Sequence, residues 1–148
     1  MIRKATLHDL DALTDLFDQY LVFYKKPSNI ENHKAFLKER LENHEAEVFL
    51  AFDEQNKAIG FALNYITFSS LLLKKIVILN DIFVNPSTRK SGVASKLIEE
   101  TKKLAQDLGS PIIRLRTAKN NFTAQKLYHK MGFIRDEHLY GYDLILEK

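Results

Sequence analysis

Apolar and polar positions follow two rhythms along the chain, and the changes between them mark the elements. Ile2 to Thr6 is short and alternating, which predicts a first strand. From Asp9 the rhythm turns helical: Leu10, Leu13, Phe17, Tyr20, Leu21 and Tyr24 share one stripe, while Asp11, Asp15 and Asp18 fall elsewhere. Pro27-Ser28-Asn29 breaks that stripe, and Ser28 or Asn29 can cap a second helix that carries Ala35, Phe36, Leu37 and Leu41 and ends near Asn43. Ala46 to Phe52 and Ala58 to Ile66, joined by a polar turn over 53–57, predict a hairpin. Thr67 to Lys74, rich in hydroxyls and leucines, fits neither period. Lys75 to Val84 is nearly continuously apolar apart from Asn80 and Asp81, as expected of a strand in the middle of the sheet, covered on both faces.

Asn85-Pro86-Ser87 then predicts a turn. A helix follows from Val93, with Ala94, Leu97, Ile98, Leu104, Ala105 and Leu108 inward and Glu99, Glu100, Lys102, Lys103 and Asp107 outward; Gly109 ends it. Ile112 to Thr117 reads as a strand, and a connection of this length makes a βαβ unit with parallel strands. A further helix, Phe122 to Met131, stops at Gly132. Phe133-Ile134 begins another strand, and Leu139 to Leu146, alternating less cleanly, is the last. The order is β-α-α-β-β-β-α-β-α-β-β, one α/β domain over residues 1–148 without repeats.

The junction after Val84 carries candidate chemistry. A strand passing into a helix through a short basic loop leaves the first N–H groups of the helix unpaired at the positive end of its dipole, a ready anion site. Arg89 and Lys90 add charge, Gly92 lets the backbone approach a ligand, and the N–H groups from Lys90 through Ser91, Val93, Ala94 and Ser95 are the ones a bound anion would meet. We read the stretch as a diphosphate cradle at the carboxyl end of a parallel pair, where open sheets bind ligands. It is not a P-loop, because no second glycine precedes Lys96, and not a dinucleotide fingerprint, because Gly92 stands alone.

What fits is Arg89-x-x-Gly92-x-Ala94, preceded by Val84-x-Pro86. It resembles the acetyl-CoA signature of the GCN5-related N-acetyltransferases (GNAT), Gln/Arg-x-x-Gly-x-Gly/Ala. Downstream, Asn121-x-x-Ala124-x-x-Leu127-Tyr128-x-x-x-Gly132-Phe133 looks like the second conserved block of that family at about its usual distance. The resemblance covers essentially the whole chain. It implies a GNAT-like α/β (α+β by some schemes) fold, with a mixed central sheet of about six or seven strands flanked by about four helices. It implies direct transfer of acetyl from acetyl-CoA to a primary amine (a small amine, a polyamine or a lysine) in a ternary complex, without a metal, in a homodimer. The pantetheine arm would lie along Phe83 and Val84 as an added strand, with Asn121 on its far side. Tyr128 would donate a hydrogen bond or a proton to the CoA thiolate. With a phenol near ~10 and a thiol near ~8.5, full transfer is uphill by roughly 2 kcal/mol, so Tyr128 acts within the transition state or has its acidity raised locally. The chain departs from the frequent Arg-Gly-x-Gly-x-Gly pattern: Lys90 and Ser91 make a stiffer loop.

The acceptor must lose a proton first, since an alkyl ammonium near ~10.4 is only about one part in a thousand neutral at pH 7. Asp81 is a candidate base through water; the alternative is that Asn80 and Asp81 are hydrogen-bonded structural groups. The N–H of Val84 is placed to hold the developing oxyanion. Tyr20, Phe23 and Tyr24, with Tyr140 and Tyr142, either wall the acceptor pocket or pack the core. Phe23-Tyr24-Lys25-Lys26-Pro27 is loosely similar to a subgroup with polyamine- and protein-lysine-acetylating members.

Composition narrows the field. No cysteine means no disulfide and no thiolate catalysis, and His8, His33, His44, His129 and His138 lack zinc-ligand spacing; His129 and His138 read as surface groups. The net charge of +3 is too small, and Lys25-Lys26, Lys74-Lys75 and Lys102-Lys103 too scattered, to suggest nucleic acid. Lys74 and Lys75 interrupt the most apolar stretch, so no membrane span is expected, and the N-terminus shows no signal region; cytoplasm is the expected compartment. The rival reading is a CoA-binding regulatory module of the same fold without efficient transfer.

Overall fold

A computed structural model describes residues 1–88 and 91–147. Its elements are β1 (Ile2–Lys4), α1 (Leu10–Phe23), α2 (Ile30–Glu42), β2 (Glu47–Phe52), β3 (Ala58–Ser69), β4 (Lys74–Val84), α3 (Val93–Asp107), β5 (Ile113–Arg114) and α4 (Phe122–Lys130), with single 3-10 turns at Leu7–Asp9 and Pro86–Thr88. They fall into two compact units, Met1–Arg116 and Thr117–Lys148.

The first unit holds a mixed sheet in the order β1-β2-β3-β4-β5. Its first four strands are antiparallel neighbours and β5 is parallel to β4, as the βαβ spacing predicts. β4 is interior but fourth of five rather than central. Alternation divides the strands between two faces. Val48, Leu50, Phe52, Phe61, Leu63 and Phe83 join Leu10, Leu13, Leu16 and Phe17 of α1 and Leu37 of α2 in one buried cluster. Asn64 points the other way, where its Oδ1 accepts from Thr101 Oγ1 of α3 at 3.3 Å while its Nδ2 donates to the Glu47 carbonyl at 3.2 Å. Helices therefore cover both faces, and a buried polar pair ties α3 to the sheet.

Local chemistry sets the ends. Thr6 and Asp9 form a capping box before α1, and Arg3 closes it with two 2.8 Å bonds to the Asp9 carboxylate. Asn29 caps α2 through Asn32 N–H; Ser28 instead donates to Asp18. Residues 67–74, unassigned by pattern, are the end of the β3–β4 hairpin, with Ser69 opposite Lys74 and Phe68, Leu71 and Leu73 exposed. Outward-facing leucines obey no burial period, which is why the stretch was illegible.

In β4 the register steps from Asn64↔Leu79 to Leu63↔Asp81, so Asn80 is one residue too many and forms a bulge. Counting alternate residues from Ile76 and Ile78 would put Asn80 on the α1 face. The bulge puts Asp81 there, followed by Phe83 opposite Phe61. The β4–β5 ladder stops at Ile78, just before the bulge.

In the second unit α4 is capped by Asn121, whose Oδ1 accepts from Ala124 N–H at 3.2 Å, and closes on Gly132 at φ +94°. Among the described residues there are five strands, so the expected six or seven are not confirmed. Ile112 to Thr117 contracts to Ile113–Arg114, and Phe133-Ile134 and Leu139 to Leu146 lie outside any helix or strand. A strand exists only where a neighbour takes its N–H and C=O groups, and α4 is the sole regular element described in that unit. Among the described residues no helix is long and apolar enough to cross a membrane, and no group of three His, Asp or Glu could hold a metal ion.

Candidate active site

The bulge brings Asp81 to Tyr20, whose hydroxyl donates to Asp81 Oδ1 at 2.8 Å; Asn80 Nδ2 donates to Oδ2 at 2.9 Å. Tyr20 stands amid rings, with centroids of Tyr24 at 5.0 Å, Phe61 at 5.7 Å and Phe83 at 6.1 Å. Tyr24 and Phe23 continue this wall to the surface. Burial raises the Asp81 pKa above the ordinary carboxylate value against the lowering effect of the Asn80 and Tyr20 bonds. A carboxylate kept short of solvation, next to an aromatic surface, suits both attraction of a cation and acceptance of its proton.

The end of β4 is shaped by a residue that pattern reading passed over. Gly60 lies opposite Val84, and a Cβ there would come within 2.9 Å of the Phe83 carbonyl oxygen. An isolated glycine inside a strand pattern is itself the signal for such a close approach. Asn85 then donates its N–H to the Ile59 carbonyl at 2.8 Å and accepts from Ser87 N–H at 3.0 Å and Ser87 Oγ at 2.8 Å, which folds the turn onto the strand end.

The cradle expected after this turn is partly described. Arg89 and Lys90 lie outside the described residues. Ser91 Oγ donates to the Thr88 carbonyl at 2.6 Å, and Gly92 adopts φ +79° as the N-cap of α3, with nothing within 4 Å of where a Cβ would sit. Gly92 has no side chain to cap α3, and among the described residues no side chain accepts from the N–H groups of Val93, Ala94 and Ser95, which fits an anionic diphosphate.

Asn121 and Tyr128 belong to the second unit, the cap and the seventh residue of one helix. Tyr128 packs against Phe133 with ring centroids 5.7 Å apart, and Phe133 N–H closes the turn on the Tyr128 carbonyl at 2.9 Å. Tyr140 lies in the exposed stretch 139–146 of the same unit.

Residues 10–133 match the profile of the Acetyltransferase (GNAT) family. The chain belongs to that family. A relative from Bacillus subtilis, the uncharacterized N-acetyltransferase YhfO, is 41% identical over 135 residues, covering 91% of this chain and 90% of that one. The crystal structure of a probable acetyltransferase superposes with a TM-score of 0.94 at 38% identity, covering 100% of this chain and 99% of the other. The aminoglycoside N-acetyltransferase AAC(6')-Iy in complex with CoA superposes at 0.82 with 27% identity, over 97% of this chain and 93% of that one. The GNAT assignment agrees with the α/β fold, a mixed five-strand sheet with four helices. The protein is accordingly an N-acetyltransferase of GNAT type.

Proposed function

We propose that this acetyltransferase moves acetyl from acetyl-CoA directly onto a primary amine within a ternary complex. The observation that carries the reading is the half-buried Asp81, held by Tyr20 and Asn80 at the strand end that leads into the uncapped start of α3. Val93 to Ser95 offer N–H groups to the diphosphate, and Phe83 and Val84 offer the strand edge to the pantetheine amides. Asp81 draws the ammonium to the Tyr20–Tyr24 wall and takes its proton through water. The N–H of Val84 stabilises the oxyanion, Asn121 steadies the pantetheine arm and Tyr128 assists departure of the thiolate. A small cationic amine or polyamine is the acceptor class that an acid among aromatic rings favours, and a homodimer is the assembly.

Thiol release from acetyl-CoA with a panel of amines, read with product mass, tests the reading. Release should require an amine, and double-reciprocal plots should intersect, as direct transfer demands. Tyr128→Phe should lower turnover by about 10- to 100-fold with CoA affinity within about twofold. Tight CoA binding with no turnover on any amine would instead support the regulatory-module reading.

A further inference from the structure

We infer that Tyr65 is a specificity-determining residue of the acceptor site, the wall that faces Tyr20 across Asp81 and limits the group the amine can carry on that side. That role presupposes an acceptor at Asp81, as proposed above. On the α1 face β3 presents Phe61, Leu63 and Tyr65 in turn, because alternate residues share a face and Tyr65 packs against the cluster that holds the other two. Their partners on β4 are Phe83, Asp81 and Ile78, the bulge at Asn80 having taken up one residue. Tyr20 sits on the first pair, with ring centroids 5.7 Å from Phe61 and 6.1 Å from Phe83. Tyr65 and Ile78 form the last pair. Leu63 and Asp81 therefore lie between the two tyrosines.

The floor of this gap is uneven. Leu63 is fully buried, whereas Asp81 and Ile78 on the neighbouring strand are only half-buried. The open track thus runs over β4, from the carboxylate past Ile78. Diagonal neighbours across an antiparallel pair stand about 7–8 Å apart, within reach of an aromatic side chain, so the Tyr65 ring borders that track. Electrostatics agree with the placement. Burial first, and then the Asp81 charge, raise the Tyr65 phenol above its ordinary value, while Arg40 opposes and Glu45 adds to the rise. A phenol so placed stays neutral at pH 7. Arg40 is already shared between Glu45 at 3.3 Å and Glu39 at 2.9 Å, so the surroundings of Tyr65 hold no free cation for an anionic acceptor group. An amine held by Asp81 thus meets a ring and an isoleucine on this side, which suits a small apolar substituent.

Selectivity rather than rate reads this role. Tyr65→Ala should raise the ratio of kcat/KM for benzylamine to that for n-propylamine by about tenfold or more, with KM for acetyl-CoA within about twofold of the parent. Tyr65→Phe should keep the parent's ratio, since the ring and not the hydroxyl forms the wall, and Tyr65→Trp should lower it. A change that merely loosened the fold would depress both amines alike and disturb acetyl-CoA as well. Because the chain has no tryptophan, Tyr65→Trp also carries a sole indole whose emission reports binding without turnover. In the presence of CoA, n-propylamine should change that emission saturably, and Asp81→Asn in the same background should abolish the response. An unchanged ratio in both Tyr65→Ala and Tyr65→Trp, or an indole emission that the amine leaves unmoved, overturns the inference. An emission response in a protein that turns over no amine would instead sink the transfer reading and leave Tyr65 in its place. If Tyr65→Ala does not fold, Tyr65→Trp decides through both readouts.

Discussion

At Asp81, burial and hydrogen bonding pull in opposite directions, and burial wins. Its folded pKa stands above the unfolded one, so the ionised carboxylate costs stability at every pH above both values. Asp81→Asn keeps an acceptor for the Tyr20 hydroxyl and removes the charge. The variant should melt at the same temperature as the parent or higher at pH 7, with the difference vanishing as pH falls below the unfolded value. Turnover should drop about 100-fold or more, and the acid limb of the pH–rate profile, displaced above the usual carboxylate range in the parent, should disappear. Retention of that limb in Asp81→Asn would assign it to another group. Tyr20→Phe leaves the carboxyl with one donor fewer, which moves the limb further up in pH.

Gly60 shows at the scale of elements how one strand governs its neighbour. A methyl group at this position meets the Phe83 carbonyl, which belongs to backbone and cannot swing aside. Gly60→Ala should destabilise the fold by about 1–3 kcal/mol and raise the KM for acetyl-CoA, measured by urea unfolding and initial rates. Thr101→Val removes the donor to the buried Asn64 Oδ1 and should cost about 1–3 kcal/mol without altering KM, since it lies on the other face. Much of this layer was legible in sequence: α1, α2, α3 and the β2–β3 hairpin follow period and punctuation, and Gly92, Asn121 and Tyr128 fall at helix positions read in advance. Three features were not. The hairpin tip hides no side chains and so has no period. The bulge at Asn80 is an error of counting that only the partner strand reveals. The expected strand over 139–146 depends on a neighbour, which local sequence does not encode.

Over the whole molecule, two carboxylates, Asp9 partly buried and Asp18 buried, join successive elements and set the acid limit of the fold. Arg3, hydrogen-bonded to Asp9, lowers the Asp9 pKa to about 2 and binds β1 to the start of α1. Burial would raise Asp18, but Ser28 Oγ at 2.6 Å, Asn29 N–H at 2.9 Å and His33 Nδ1 at 2.7 Å together lower it and bind the end of α1 to α2. Depressed carboxylates give stability that is fully present above their unfolded pKa near ~4 and lost as pH falls through the folded values. The urea midpoint should thus decline from about pH 4 to about pH 2. Asp9→Asn should flatten part of that decline and cost about 1 kcal/mol at most at pH 7, because Arg3 is 44% exposed and solvent screens the pair. The bulge has a consequence for the length of the chain itself. Loss of one residue from a regular strand inverts every face that follows, but loss of Asn80 would leave Asp81 opposite Leu63 and Phe83 opposite Phe61. β4 carries a spare residue, so a gap at this position in an alignment signals a straightened strand rather than a lost active site.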